Sequence, residues 1–151
     1  MLKKGSKGGF TLVELVVVIA ILAILAAIAV PVVTQTLNGA VLSAASNDAR
    51  NLESCLKLAK ADVSVGNTDT YGERAKTRQL KVGEVLREQG VENACETKVY
   101  QGKEIAPAWV HGEVRLLYTD NHTDVETGYV VADPVYIRKD SNILVVNLSN
   151  N

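Results

Sequence analysis

Lys7–Val33, KGGFTLVELVVVIAILAILAAIAVPVV, decides how the rest of the chain is read. From Phe10 to Val33 the only charged side chain is Glu14. As a helix these residues reach about 36 Å at roughly 1.5 Å per residue, enough to cross a hydrocarbon core of about 30 Å. A core strand would be far shorter, and a core helix would show a polar face. Lys3, Lys4 and Lys7 all precede the run. The positive-inside tendency therefore keeps that end cytoplasmic and sends the C-terminal part outward.

Outward from this stretch, 151 residues suffice for one domain of ordinary size. The hydrophobic fraction of 47% is inflated by the first 33 residues, so one soluble domain on an apolar stalk is the economical reading. The net charge of -1 also hides a split: without the three leading lysines, 13 basic residues face 17 acidic ones, a net of -4. That balance supplies no global attraction to nucleic acid or anionic lipid. Cys55 and Cys95 are too few for a zinc site, and neither lies in a C-x-x-C pair. In an exported domain they could bridge, closing a loop of about 40 residues and contributing roughly 4 kcal/mol in the chain-entropy account. Two reduced, buried thiols are the alternative.

Pro31 removes one helical hydrogen bond near the outer end of the run and predicts a kink or loosening. The helical pattern nevertheless continues through Leu37, Val41, Ala45, Ala49, Leu52, Leu56, Ala59 and Val63, with Asp48, Arg50, Glu53 and Lys57 on the other side. Asn38-Gly39 predicts local softening, and Cys55 falls beside the apolar stripe. GNTDTYG at 66–72 ends the pattern. A short helix is expected over Thr77–Gln89, closed by Gly90. After Cys95 strands are expected at Lys98–Gln101, Ala108–Val110, Val114–Tyr118, Tyr129–Ala132, Val135–Ile137 and Ile143–Leu148. The expected fold class is therefore α+β: a long N-terminal helix, half transmembrane and half amphipathic, packed on a small antiparallel sheet.

A carboxylate inside an apolar helix is costly and normally has a partner. Cutting between Gly9 and Phe10 would create one, because the new α-amine of Phe10 would be largely cationic at neutral pH. In parallel helices displaced along their axes, the amine of one copy can meet Glu14 of its neighbour. Two rivals account for the apolar run. One is a secretory signal cut after Ala27-Ile28-Ala29, the other an uncleaved single-pass anchor. Against the first stand Glu14, the length of the run and the amphipathic helix beyond Pro31. The second leaves the Gly-Gly-Phe-Thr-Leu-Val-Glu string unexplained.

Gly9-Phe10-Thr11-Leu12-Val13-Glu14-Leu15 resembles the cleavage and methylation motif of type IV pilins and pseudopilins: a glycine before the cut, an aromatic first residue and an acid at the fifth mature position. Pro31 also matches a proline common in these stalks. The resemblance implies a leader at 1–9, a transmembrane and filament-core helix at 10–33, and an extracytoplasmic head at 34–151. It implies a membrane peptidase that cuts after Gly9 and methylates the Phe10 amine, an inner-membrane assembly platform and a cytoplasmic ATPase. Phe10, Glu14 and Pro31 would serve assembly. The subunit would rest in the cytoplasmic membrane first and in a surface filament of its own copies afterwards, with no catalysis and no cofactor. A pseudopilin of a secretion or DNA-uptake system stays open, as does a secreted adhesin or other binding domain.

Elsewhere chemistry is scarce. Asp120, His122 and Asp124 in TDNHTD lack the glycine and distal glutamate of a calcium loop, so a polar hairpin turn is expected. His111 and His122 have no recognisable nucleophile partner. Asn121-His122-Thr123 and Asn147-Leu148-Ser149 fit the glycosylation sequon, a pattern common by chance. Arg74, Lys76, Arg78 and Lys81 could meet nucleic-acid phosphates, but Glu73, Glu84 and Glu88 dilute them and a solvated face is expected.

Overall fold

A computed structural model describes residues 9–149 and divides the chain into two compact units, 1–37 and 38–151. Helix α1, Leu12–Val65, runs through both. The arrangement is α+β, with α1 followed by two short helices, α2 (Glu73–Lys76) and α3 (Val82–Glu88), and by a four-stranded antiparallel sheet.

In the first unit every described residue is exposed, including Leu37, which the periodicity assigns to the buried stripe. The helix does not stop at Pro31. Proline costs the helix one donor, leaving the Ala27 carbonyl without its usual partner. On the next turn Thr34 and Thr36 donate their hydroxyls to the carbonyls of Val30 and Val32 at 2.9 and 3.0 Å. α1 also continues through Asn38-Gly39.

In the second unit α1 buries Ala45, Ala49, Leu52, Leu56, Ala59 and Val63, spaced alternately four and three apart as one helical stripe requires. From Ala49 onward they pack against Tyr71, Leu80, Val85, Leu86 and Trp109 in the main core. Strand β2 (Lys103–Val110) is central: β3 (Glu113–Tyr118) pairs along one edge, while β1 (Lys98–Tyr100) and β4 (Val135–Tyr136) share the other in tandem. Pro107 lies in this central strand and its carbonyl accepts from Ile137 at 3.0 Å. Its missing N–H thus falls on the β1/β4 edge, between the last β1 pair at Ile105 and the first β4 pair at Ala108, where Ile137 is held to Pro107 by one bond instead of two. Trp109 and Val114 face the main core, while Ala108, Val110 and Leu117 form a second cluster under Val131 and Tyr136. Polar ties also link α1 to the sheet. Asp48 meets Lys98 at 2.7 Å, and Glu53 accepts from the Val114 N–H at 3.2 Å.

Three local expectations are corrected. The helix expected over Thr77–Gln89 begins only at Val82, because Arg78 sits at φ +59° and Leu80–Lys81 pair with another segment instead of coiling: Lys81, in extended backbone, bridges Leu144, and the Val145 N–H donates to the Leu80 carbonyl at 2.9 Å. It closes at Gly90, φ +67°, with the Val91 N–H on the Leu86 carbonyl and the Gly90 N–H on Arg87. Tyr129–Ala132 makes a single bridge, Thr123 to Val130, rather than a strand. Ile143–Leu148 is not a strand either. Leu144 bridges Lys81, and Val145–Ser149 is a 3-10 turn. Three-residue periodicity puts Val145 and Leu148 on one side, and both are buried. The Trp109 indole N–H donates to the Leu148 carbonyl, and the Val145 N–H donates to Leu80.

Candidate functional site: the entry to the apolar helix

The described part of the N-terminal segment opens with Gly9 and Phe10 in non-helical backbone, both exposed. Lys3, Lys4, Lys7 and Gly8 of the expected leader lie outside the described residues. Helix α1 starts at Leu12, and its first turn is closed by the Leu15 N–H on the Thr11 carbonyl at 3.3 Å. Thr11 is the N-cap. Its hydroxyl accepts from the Glu14 N–H at 3.2 Å, and Glu14 Oε2 accepts in return from the Thr11 N–H and hydroxyl, both at 2.8 Å. This is a reciprocal capping box, with the acid placed where the positive end of the helix dipole favours it.

Glu14 therefore has a partner within its own chain, which the charge argument alone misses. The signal was present in the order Thr11-Leu12-Val13-Glu14, a T-x-x-E string directly before an apolar run. Oε2 is engaged twice, while Oε1 carries no hydrogen bond or ion pair among the described residues. One oxygen holds the helix start and the other is open to a cation. Behind it the helix is long and apolar enough to cross a membrane, with a window of mean hydropathy 3.2, none of it buried. Pro31 lies within the helix, exposed.

The other candidates resolve into structure. Asp124 is 3% exposed. Its carboxylate accepts from the backbone N–H groups of Glu126 and Thr127 at 2.9 and 2.8 Å and meets Arg115 at 3.3 Å. Burial pushes its pKa up, but the Thr127 N–H, the Arg115 guanidinium and the Glu126 N–H outweigh it and hold the carboxyl below its ordinary value. His122 turns instead to the Tyr136 hydroxyl at 2.8 Å, and Asp120 to Lys103 at 3.6 Å. The three do not converge, and no metal-ligating cluster occurs among the described residues. His111 occupies the β2–β3 turn at φ +49°.

Arg74 of the basic cluster is held by Glu84 and Glu88 at 3.2 and 2.6 Å, and Lys76 by Glu73 at 3.7 Å. Cys55 and Cys95 are free thiols rather than a bridge. Cys95 is buried and its Sγ donates to the Glu92 carbonyl at 2.8 Å, while Cys55 packs half-buried against the same core. Burial pushes both thiols up.

Residues 4–30 match the family described as the prokaryotic N-terminal methylation motif, the signature of type IV prepilin-like proteins. The match covers the basic leader from Lys4, the Gly9-Phe10 junction, the capping box and most of the apolar run. No curated protein and no solved structure matches the chain. The motif and the apolar helix fit membrane anchoring of a pilin-like or pseudopilin protein, a structural rather than catalytic class.

Proposed function

We infer that this chain is the structural subunit of a type IV pilus, cleaved after Gly9, methylated at the Phe10 amine and assembled into a helical filament. The observation that carries this reading is the single carboxylate of the apolar run, four residues beyond the Gly9-Phe10 junction, with Oε2 satisfied internally and Oε1 open. In the membrane the capping box shields the charge. In a filament Oε1 receives the Phe10 amine of a neighbour, and desolvation makes that match selective. Burial of the apolar helices against one another supplies cohesion, and repeated head-to-tail contacts leave the array open.

Maturation requires the peptidase, and insertion requires the assembly platform and its ATPase. Residues 10–33 cross the membrane before assembly, and 34–151 form the surface head afterwards. A pseudopilin, sharing the same segment but building a short fibre, is the nearest alternative.

The test has two arms. Mass spectrometry of the mature chain is expected to show an N-terminal methylated Phe10; an N-terminus at Val30 would mean ordinary secretion. Glu14→Ala is expected to insert into the membrane but to enter filaments poorly, and a normal filament yield in sheared surface fractions would sink the register role of Glu14.

A further inference from the structure

Within the second unit a groove of about 750 Å3 runs between α1, from Leu42 to Glu53, and the wall formed by β3 and the 124–127 turn. Four carboxylates line it, Glu53, Glu113, Asp124 and Glu126, against two guanidinium groups, Arg50 and Arg115. Arg115 is spent on Glu113 and Asp124, at 3.3 Å each, and Glu53 on Lys57 at 2.6 Å. Among the described residues Glu126 makes no ion pair, so the β3 wall presents a surplus of negative charge. Arg50, also without an ion pair, stands on the opposite wall.

The complementary surface is on the same chain. The stretch Glu73–Lys81, ERAKTRQLK, carries four cations and one acid. Its Arg78 is exposed, makes no ion pair among the described residues and sits at φ +59°. That residue closes α2: the Gln79 N–H reaches the Arg74 carbonyl at 2.9 Å and the Arg78 N–H reaches Ala75 at 3.2 Å. Glycine is the low-cost occupant of such a left-handed helix end, so an arginine is held outward there at a conformational cost.

We propose that the acidic groove takes the Arg78 turn of a second copy of this chain, Arg78 pairing with Glu126 and Glu113. Within one chain, no ion pair joins Arg78 to Glu113 or Glu126 among the described residues. Lys76 abuts Gly66 at the C-terminal end of α1, whereas the groove ends at Glu53. Those levels are separated by about 20 Å at roughly 1.5 Å per residue. A parallel copy displaced along α1 closes that distance, and Arg50 repels the incoming cation from the helix wall toward β3. Different patches on the two partners make the contact heterologous, and the axial displacement between copies keeps it from closing into a ring. The proposal rests on the filament reading and adds to it a contact between the globular parts of neighbouring subunits.

The experiment uses the full chain carrying both Arg78→Cys and Glu126→Cys, oxidised on the cell surface, with each single substitution as background. A ladder of covalent multimers, absent from the single variants, is expected. Dimers alone, or filaments of cleaved and methylated chain with no ladder, overturn this contact and leave the assembly reading intact. A chain that stays uncleaved overturns the assembly reading and this contact with it. As a second measurement, Arg78→Glu and Glu126→Lys are each expected to lower filament yield several-fold and to restore it when combined. Equal loss in the combined variant overturns the pairing.

Discussion

Glu14 Oε2 accepts two hydrogen bonds from Thr11, one from the backbone N–H and one from the hydroxyl, both at 2.8 Å. The residue expected to wait for a partner in another chain is already anchored in its own. Among the described residues the anchor leaves Oε1 without a hydrogen bond, so internal capping and intermolecular pairing need not compete.

Thr11→Ala is expected to loosen the first turn of α1, and Thr11→Ser to preserve it, because only a hydroxyl can accept from the Glu14 N–H and donate to Oε2. Amide hydrogen exchange of the full chain in detergent micelles reads this directly. Exchange at Leu12–Leu15 should quicken in the alanine variant and stay at the parent rate in the serine variant.

Gly83 and Gly39 should respond oppositely to alanine. A Cβ on Gly83 would lie 2.8 Å from the Lys139 carbonyl and 3.0 Å from that of Ser141, both backbone atoms, whereas one on Gly39 meets nothing within 4 Å. Gly83→Ala is expected to cost about 1–3 kcal/mol through overpacking, and Gly39→Ala to stabilise the helix by about 0.5–1 kcal/mol. Urea unfolding followed by circular dichroism distinguishes the two signs.

Asp124 gives the head an acid-sensitive tie. Its carboxyl is held below the ordinary value of about 3.9. The stabilisation is therefore complete above the unfolded value and is lost as pH falls through the lower folded one. At pH 7 Asp124→Asn should be less stable than the parent, and the gap should narrow steadily below about pH 4. Parallel urea titrations at pH 7 and pH 3 check this, and an unchanged gap would refute it.

Trp109 holds the C-terminal turn. Trp109→Phe keeps most of the packing but leaves the Leu148 carbonyl without its donor, an expected loss of about 1–3 kcal/mol. Trp109→Ala should cost about 3–5 kcal/mol. Thermal melts monitored by circular dichroism rank the variants without relying on tryptophan fluorescence.

Native thiol labelling should be slow at both cysteines and slower at Cys95 than at Cys55. Cys95 is buried and donates to the Glu92 carbonyl, whereas Cys55 is only half-buried. Burial also keeps the reactive thiolate scarce at neutral pH. Equal rates for the two in the folded protein would contradict that arrangement.

The sequence by itself determined the N-terminal helix, its membrane-length apolar run, the isolated acid and the α+β class, because each depends on local composition and short periodicity. Thr11-x-x-Glu14 belongs with these, since a capping box is written in four consecutive residues. The stripe from Ala45 to Val63 was legible for the same reason, and strands β1 and β3 fell close to their expected positions. Only the tertiary structure decided the fate of Ile143–Leu148. Its aliphatic residues suit a strand, but Trp109, Leu80 and the N-terminus of α3 claim its backbone groups from distant positions. Only the tertiary structure, likewise, buried Asp124 under Arg115 and aimed Arg78 outward. Long-range partners of that kind leave no periodic trace in the chain, because their energy comes from groups brought together by the packing of the whole head.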